Sequence, residues 1–448
     1  MRFGRWVWLV HMAAVVSAGA QLGCSGGADT NAGGGGTTAT GGSGGSGTTA
    51  PAETTYYRDV KPIFDAKCGK CHMDGGIAPF RLLSYADTKD YLGLIKDNVV
   101  SKTMPPWLAN GDCAEYVDNR SLSDAQIDTI VKWVDGGALE GDPKDEGPAL
   151  PADDAHKLSR VDLNMPIPVT YTQAVTPDDY HCFVIDWPYD TVKYVSGFRA
   201  NPGDSRVVHH VIAFLVAPND VPEIQSLDDA EPGPGYTCYG SSGINANEWL
   251  GAWAPGSPGH DFPEGTGIKV QPGSKIALQI HYNSLTAGPQ PDQTSIDFKI
   301  DDAVEKEGKI QPWANPQWLS GKTMDIPAGE TDAEHHWAYD PTTFLGGGKP
   351  ITLYSASLHM HQLGTSAKLE IHRKDTSNEC MLQIDDWNFH WQGDYGFAKP
   401  KTFNPGDKLY LECHWDNSAG NQTGAPKDVF WGEGTGDEMC LGGFYWTR

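Results

Sequence analysis

Apolar and polar positions change rhythm twice along this chain. Residues 25–54 contain no large apolar side chain; Gly, Ser, Thr and Ala dominate. Such a stretch has nothing to bury and reads as a flexible tether. Residues 55–142 follow a helical rhythm. Ser123 and Gln126 form the two halves of a capping box. Ile127, Ile130, Val131 and Val134 then recur at i, i+3, i+4 and i+7, one apolar face. Gly136-Gly137 stops that helix. Residues 143–160, with Pro, Asp and Glu, read as a linker.

From residue 161 the runs become short, β-branched and aromatic, separated by Gly, Pro, Asn and Asp. Examples are "VKYVSGFRA", "HHVIAFLV", "KIALQIHYNS", "ITLYSASLHM", "KLYLECHWDNS" and "LGGFYWTR". Many short strands with turn signals predict β-sandwiches. The length predicts two of them, 161–300 and 301–448, with the boundary in the polar, proline-containing region 298–320. The pair His335-His336 lies in a polar stretch without strand alternation. The expected fold class is multidomain, a small all-α domain followed by two all-β sandwiches.

Composition narrows the partners. There are 33 Lys+Arg against 58 Asp+Glu, a net charge of −25. Phosphate neutralisation needs basic surface, so a nucleic-acid partner is not expected. Residues 1–24 read as an export leader. Arg2 and Arg5 precede the apolar stretch Trp6–Ala20, which is short for a membrane span. Ala18-Gly19-Ala20 fits signal-peptidase cleavage. Gln21-Leu22-Gly23-Cys24 resembles a bacterial lipobox with Cys24 as the lipidated residue, although Gln21 departs from it. The expectation is a bacterial cell-envelope protein, lipid-anchored, with periplasmic or secreted protein as the alternative. Export means an oxidising compartment where cysteines pair.

The first chemical motif is Cys68-Gly-Lys-Cys71-His72. Two thiols at this spacing bond to the vinyl groups of a c-type haem, and the adjacent His is an axial ligand. A redox dithiol would want a preceding strand, and a zinc site a second Cys/His pair; neither is evident. Met104, in "KTMPPW", is the candidate sixth ligand, while Met73 is too close to His72. The order helix–CxxCH–helix–Met–Pro–helix resembles a small class I cytochrome c domain over 55–142.

The second set is histidine-rich. His209-His210 opens "VVHHVIAFLV", His281 closes "KIALQIHYNS", and His359 and His361 sit in "SLHMHQLG". Residues i and i+2 of a strand share a face, so His359 and His361 project together and Met360 points away. Adjacent His209 and His210 would face opposite sides of a regular strand; one shared metal would require a bulge or a strand end. Imidazole alone leaves copper, zinc, iron and nickel open.

Five segments in order, "VVHHVIAFLV", "EWLGAWAPG", "KIALQIHYNS", "SLHMHQLG" and "GDEMCLGGFYW", resemble the copper type II, ascorbate-dependent monooxygenases over residues 165–448. That resemblance implies two jelly-roll-like sandwiches with one copper on each, facing a solvent-filled cleft. It implies an electron-accepting copper on His209, His210 and His281, and an oxygen-activating copper on His359, His361 and Met439. A thioether favours Cu(I) and is a poor zinc ligand. Gln279 matches the family and is expected near the first site. The resemblance also implies disulfides Cys182–Cys238 and Cys413–Cys440, leaving Cys113 and Cys380 either paired across domains or free.

The match breaks at the substrate anchor. The peptide-amidating relative binds a substrate carboxylate with an Arg two residues before HxH and a Tyr four after the Met; here these are Ser357 and Gly443. The expected activity is hydroxylation of a C–H bond of an unidentified organic substrate with O2. The fused haem, or an external ascorbate-like or protein donor, would supply electrons. A non-enzymatic copper and haem electron-transfer or copper-handling protein is the alternative, and a surface binding module with structural histidines is a third reading.

Overall fold

The computed structural model describes residues 53–448 apart from 75–77, 151–157, 245–247, 256, 258, 321–322 and 423. The leader with Cys24, and the tether up to residue 52, lie outside the described residues. Among the described residues no helix is long and apolar enough to cross a membrane.

The N-terminal part is helical. Helices Lys61–Lys67, Leu92–Val100 and Asp124–Asp135 surround a core of Tyr56, Phe64, Leu82, Ile95, Val99, Ile130 and Trp133. Both halves of the Ser123/Gln126 capping box are made. The apolar stripe of that helix is rotated from the sequence reading. Ile130 and Trp133 are fully buried, whereas Ile127 and Val134 are only partly so. The bulk of Trp133, packed edge-to-face on Phe64 at 6.2 Å, takes the centre.

The remainder is two β-sandwiches that share one wall. Its strands are β1 Asp178–Asp186, β2 Val208–Val216, β3 Glu248–Trp253, β4 Lys275–Asn283, β5 Lys306–Trp313, β6 Ile351–His359, β7 Asp394–Phe403 and β8 Leu441–Thr447. They pair antiparallel in the order β1-β4-β2-β3-β5-β8-β6-β7. The expected boundary region therefore contains a pairing strand. β5 runs beside β8 from Gly308↔Thr447 to Trp313↔Gly442 and touches β3 at Ile310↔Trp249. Each half buries its own core, around Phe183, Phe198, Leu278 and Phe298 in the first and Trp313, Phe403, Trp415 and Phe444 in the second.

A four-stranded sheet closes the second half: Ala333–Tyr339, Lys408–Trp415, Gly364–His372 and Asn378–Ile384. His335 and His336 are on its edge strand, contrary to the sequence reading. Its inward positions Ala333, His335 and Trp337 are buried or half-buried while Glu334 and His336 are exposed, but a histidine at an inward position breaks the apolar alternation.

Residues 109–120 leave the helical core and dock on the second sandwich. Cys113 is disulfide-bonded to Cys380. Asn110 N donates to Gln383 O (2.8 Å), Val117 N to Gly396 O (2.9 Å) and Ala398 N to Glu115 O (2.9 Å). The Tyr116 hydroxyl donates to Met381 O at 2.9 Å. Removing a cross-link between distant residues relaxes the unfolded chain. Cys113→Ser should therefore cost about 2–4 kcal/mol, read as an earlier urea transition by tryptophan fluorescence. An unchanged transition would mean that the backbone pairing alone holds the dock.

Candidate metal centres

The first cluster rests on a bulge. Along β4 and β2, Gln279 faces Ile212, Ile280 faces Val211 and His281 faces His210, but Tyr282 faces Val208. His209 is the extra residue. The bulge lets both neighbours turn inward, which a regular strand forbids. Donor atoms of His209, His210 and His281 all lie within 4.8 Å of one another. Ring centroids are 4.9 Å apart for His209/His281 and 4.8 Å for His210/His281.

The hydrogen bonds say which nitrogens remain. His281 Nε2 donates to Asp178 Oδ1 at 2.9 Å, and Asn283 Nδ2 donates to the same oxygen. His281 Nδ1 is left buried without a partner among the described residues, as are both ring nitrogens of His209. Tyr180 stacks flat on His281 at 4.0 Å. Gln279 is fully buried, its Nε2 donating to Ser241 O at 3.2 Å and its Oε1 unpaired. Cys182–Cys238 ties β1 to the segment beneath Gln279.

The second cluster sits at the end of β6. The His359 and His361 rings are 5.1 Å apart. His359 Nδ1 donates to Gln392 Oε1, and His361 Nδ1 donates to Asp437 O at 3.0 Å. Both Nε2 atoms are therefore the ones left for a metal. Glu438, fully buried, accepts from His361 N (2.9 Å), Leu363 N (2.6 Å) and Trp415 Nε1 (2.9 Å). Burial pushes its carboxyl up to about 7 against those donors. Its neighbour Met439 is buried and lines the same cavity as His359 and His361. Cys413–Cys440 fastens that segment. Met360 is buried in the opposite core.

The third site follows helix Lys61–Lys67. His72 Nδ1 donates to Phe80 O at 2.9 Å, leaving Nε2. Cys68 and Cys71 are free thiols. Burial pushes Cys68 up to about 12 and raises Cys71. Apolar Phe64, Phe80, Leu82, Ile95 and Val99 pack with Cys68, and Met104 lines the same large cavity as His72. Thiols, a free imidazole nitrogen, a thioether and an apolar slot fit a covalent haem.

One cavity of about 2180 Å³ joins all three sites. A single small-molecule site takes about 300–1,000 Å³, so this space holds more than one. Asp394, on β7 opposite Ser357, faces the cavity and accepts from Ser355 Oγ at 2.9 Å. Desolvation lifts its carboxyl to about 7. Asp178, Gln392, Glu438 and Asp394 were not singled out from sequence. Glu438 adjoins Met439, but nothing local marks the other three.

Residues 165–288 match the family described as copper type II ascorbate-dependent monooxygenase, N-terminal domain, and residues 321–447 match its C-terminal domain. DBH-like monooxygenase protein 1 of Gallus gallus is 24% identical over 255 residues, 52% of this chain and 38% of that protein. The Homo sapiens protein of the same name is 24% identical over 259 residues, 53% and 39% of the two chains. This chain thus spans about two fifths of the length of these relatives. A solved viral coat, the major capsid protein P2 from bacteriophage PM2, covers 64% of this chain and 96% of its own at 8% identity. Its TM-score of 0.22 is too low for the likeness to carry an argument.

The imidazoles set a pH dependence. Burial, the largest cause, with neighbouring histidines, lowers His209 to about 3; burial and His359 lower His361 to about 3. In the unfolded chain a histidine takes up its proton near 6.5. Below that value the unfolded state binds more protons, so metal-free protein should lose stability from about pH 6.5 toward 3, by at most ~1.4 kcal/mol per unit for each such histidine. Chemical denaturation of the metal-free protein across that range checks this. His209→Gln and His361→Gln should flatten the slope.

Proposed function

The chain belongs to the copper type II ascorbate-dependent monooxygenase family, and from that premise we propose that it is an exported copper monooxygenase. It hydroxylates a C–H bond of an organic substrate, with electrons relayed by a c-type haem on its own N-terminal domain. One oxygen atom enters the substrate; the other leaves as water, taking two protons and two electrons from a donor. The single observation that carries the reading is the convergence of two donor sets on one cavity, with His209 and His281 nitrogens buried and unspent.

His209, His210 and His281 would hold the electron-accepting copper, and His359, His361 and Met439 the oxygen-activating one. Bound there, copper supplies one-electron redox chemistry and O2 activation. Cys68, Cys71, His72 and Met104 would hold the haem, which supplies single electrons. The protein's own part is to fix the nitrogens. Asp178 orients His281, Gln392 orients His359, and Asp437 with Glu438 orients the His361 segment. A second group that binds the far nitrogen of a ligand imidazole sets its tautomer and raises its basicity. Tyr180 covers one face of His281 and shields it from water.

The cavity bears on the substrate. Where the peptide-amidating relative carries an Arg, Ser357 faces Asp394 across the ladder, and Gly443 lies on its other side. Among the described residues Asp394 has no ion-pair partner. Protonated or ionised, Asp394 gives a substrate carboxylate no positive anchor, so the substrate is neutral or cationic in that region. Three disulfides support export, since they persist in oxidising compartments. The Cys24 lipobox supports a lipid anchor in the bacterial envelope.

Protein matured with haem should contain about two copper ions and one haem iron per chain, measured by elemental analysis and the pyridine haemochrome. His361→Ala should lose one copper and abolish product formation. Oxygen uptake must then be coupled to a hydroxylated product. Iron without copper, or zinc in its place after copper reconstitution, would overturn the reading. Copper and haem without substrate oxidation would leave the electron-transfer alternative.

A further inference from the structure

The stretch "DDWNFHWQG", Asp385–Gly393, joins strand Asn378–Ile384 of the closing sheet to β7 of the shared wall. It touches both histidine clusters at once. The Phe389 ring stacks on His209 at 4.9 Å and 24°, and lies edge-on to His361 at 5.9 Å and 76°. Its carbonyl accepts from Gln392 Nε2 at 2.8 Å, and the other end of the Gln392 amide accepts from His359 Nδ1. Trp387 Nε1 donates to His361 O at 3.0 Å. Three candidate ligands from two sandwiches thus meet one loop.

The loop is not free to drift. His390 N donates to Asn388 Oδ1 at 2.9 Å and Trp391 N to Asn388 O at 3.0 Å, which pins the turn under Phe389. Behind it, Asn110 Nδ2 donates to Asp385 Oδ2, and Cys113–Cys380 ties the preceding strand to the helical part. An aromatic ring wedged between two imidazoles replaces mobile water with a fixed, polarisable contact.

We propose that Phe389 is the positioning residue that couples the two histidine sites. It sets their separation and provides the packed contact across which an electron passes from the His209 side to the His361 side. This rests on the two-copper reading above. The resemblance implies a solvent-filled cleft between the sites; in this chain a side chain occupies part of that gap.

The test uses the full chain loaded with copper. Distances between the two Cu(II) ions are measured by pulsed electron paramagnetic resonance, and reduction by ascorbate is followed by freeze-quench. The wild type should give a narrow distance distribution and joint loss of both signals. In Phe389→Ala the distribution should broaden, and the second site should be reduced later by roughly two- to thirty-fold, the span of single-residue effects along a coupling path. Phe389→Trp should restore the joint decay. If Phe389→Ala unfolds or loses copper, Phe389→Leu, which keeps most of the volume without the π face, replaces it. A narrow, unshifted distance and an unsplit decay in a variant holding both coppers would overturn the proposal alone. A wild type without two coppers would overturn the reading beneath it.

Discussion

A buried imidazole nitrogen without a partner costs about 1–3 kcal/mol, and this fold keeps several of them together. His209 has two, and His281 has one. Neighbouring features serve to hold that arrangement. The bulge places His209 beside His210, Asp178 occupies the far nitrogen of His281, and Tyr180 covers its face. Lacking those supports, the imidazoles would turn out to water or protonate and repel one another. Burial keeps them neutral, the form in which a nitrogen lone pair can bind a metal.

The shared wall makes two such arrangements face each other. β5 and β8 pair along six residues across the junction, so the halves are joined by backbone hydrogen bonds as well as by a connecting segment. The Tyr445 hydroxyl, on β8, donates to Thr266 Oγ1 of the first half at 2.9 Å. The Tyr180 hydroxyl donates to Glu433 O of the second at 3.1 Å. Residues 109–120 add a third attachment, from the helical part to the second sandwich. The crevice of Cys68, Cys71 and His72 therefore opens on the cavity that the two histidine clusters line. Covalent and backbone links fix that geometry more firmly than surface ion pairs, which contribute about 0–1 kcal/mol each.

The cavity wall beside His359 is built from small residues and one acid. Ser357, Gly443 and Asp394 meet at neighbouring ladder positions. Ser357 Oγ already fills the space a side chain at 443 would need, since a Cβ there would lie 2.5 Å from it. Ser357, Gly443 and Asp394 put no positive group on this part of the wall. In the proposed reading the reaction class rests on the histidines and Met439, and the substrate class on the wall beside them.

Much was legible along the chain. Period-2 runs marked strands, the Ser123/Gln126 pair marked a helix start, and HH, HxH and CxxCH marked candidate chemistry, because each signal lies within a few residues. The edge strand holding His335 and His336 was hidden, since His335 takes an inward position and breaks the apolar alternation. Only the tertiary structure showed that a one-residue register shift turns His209 and His210 to the same side. It alone decided that Cys113 meets Cys380 from 267 residues away. It also brought Asp178, Gln392, Phe389 and Asp394 to the site. Their positions depend on strand register and on where a loop closes, and neither leaves a periodic trace in the sequence.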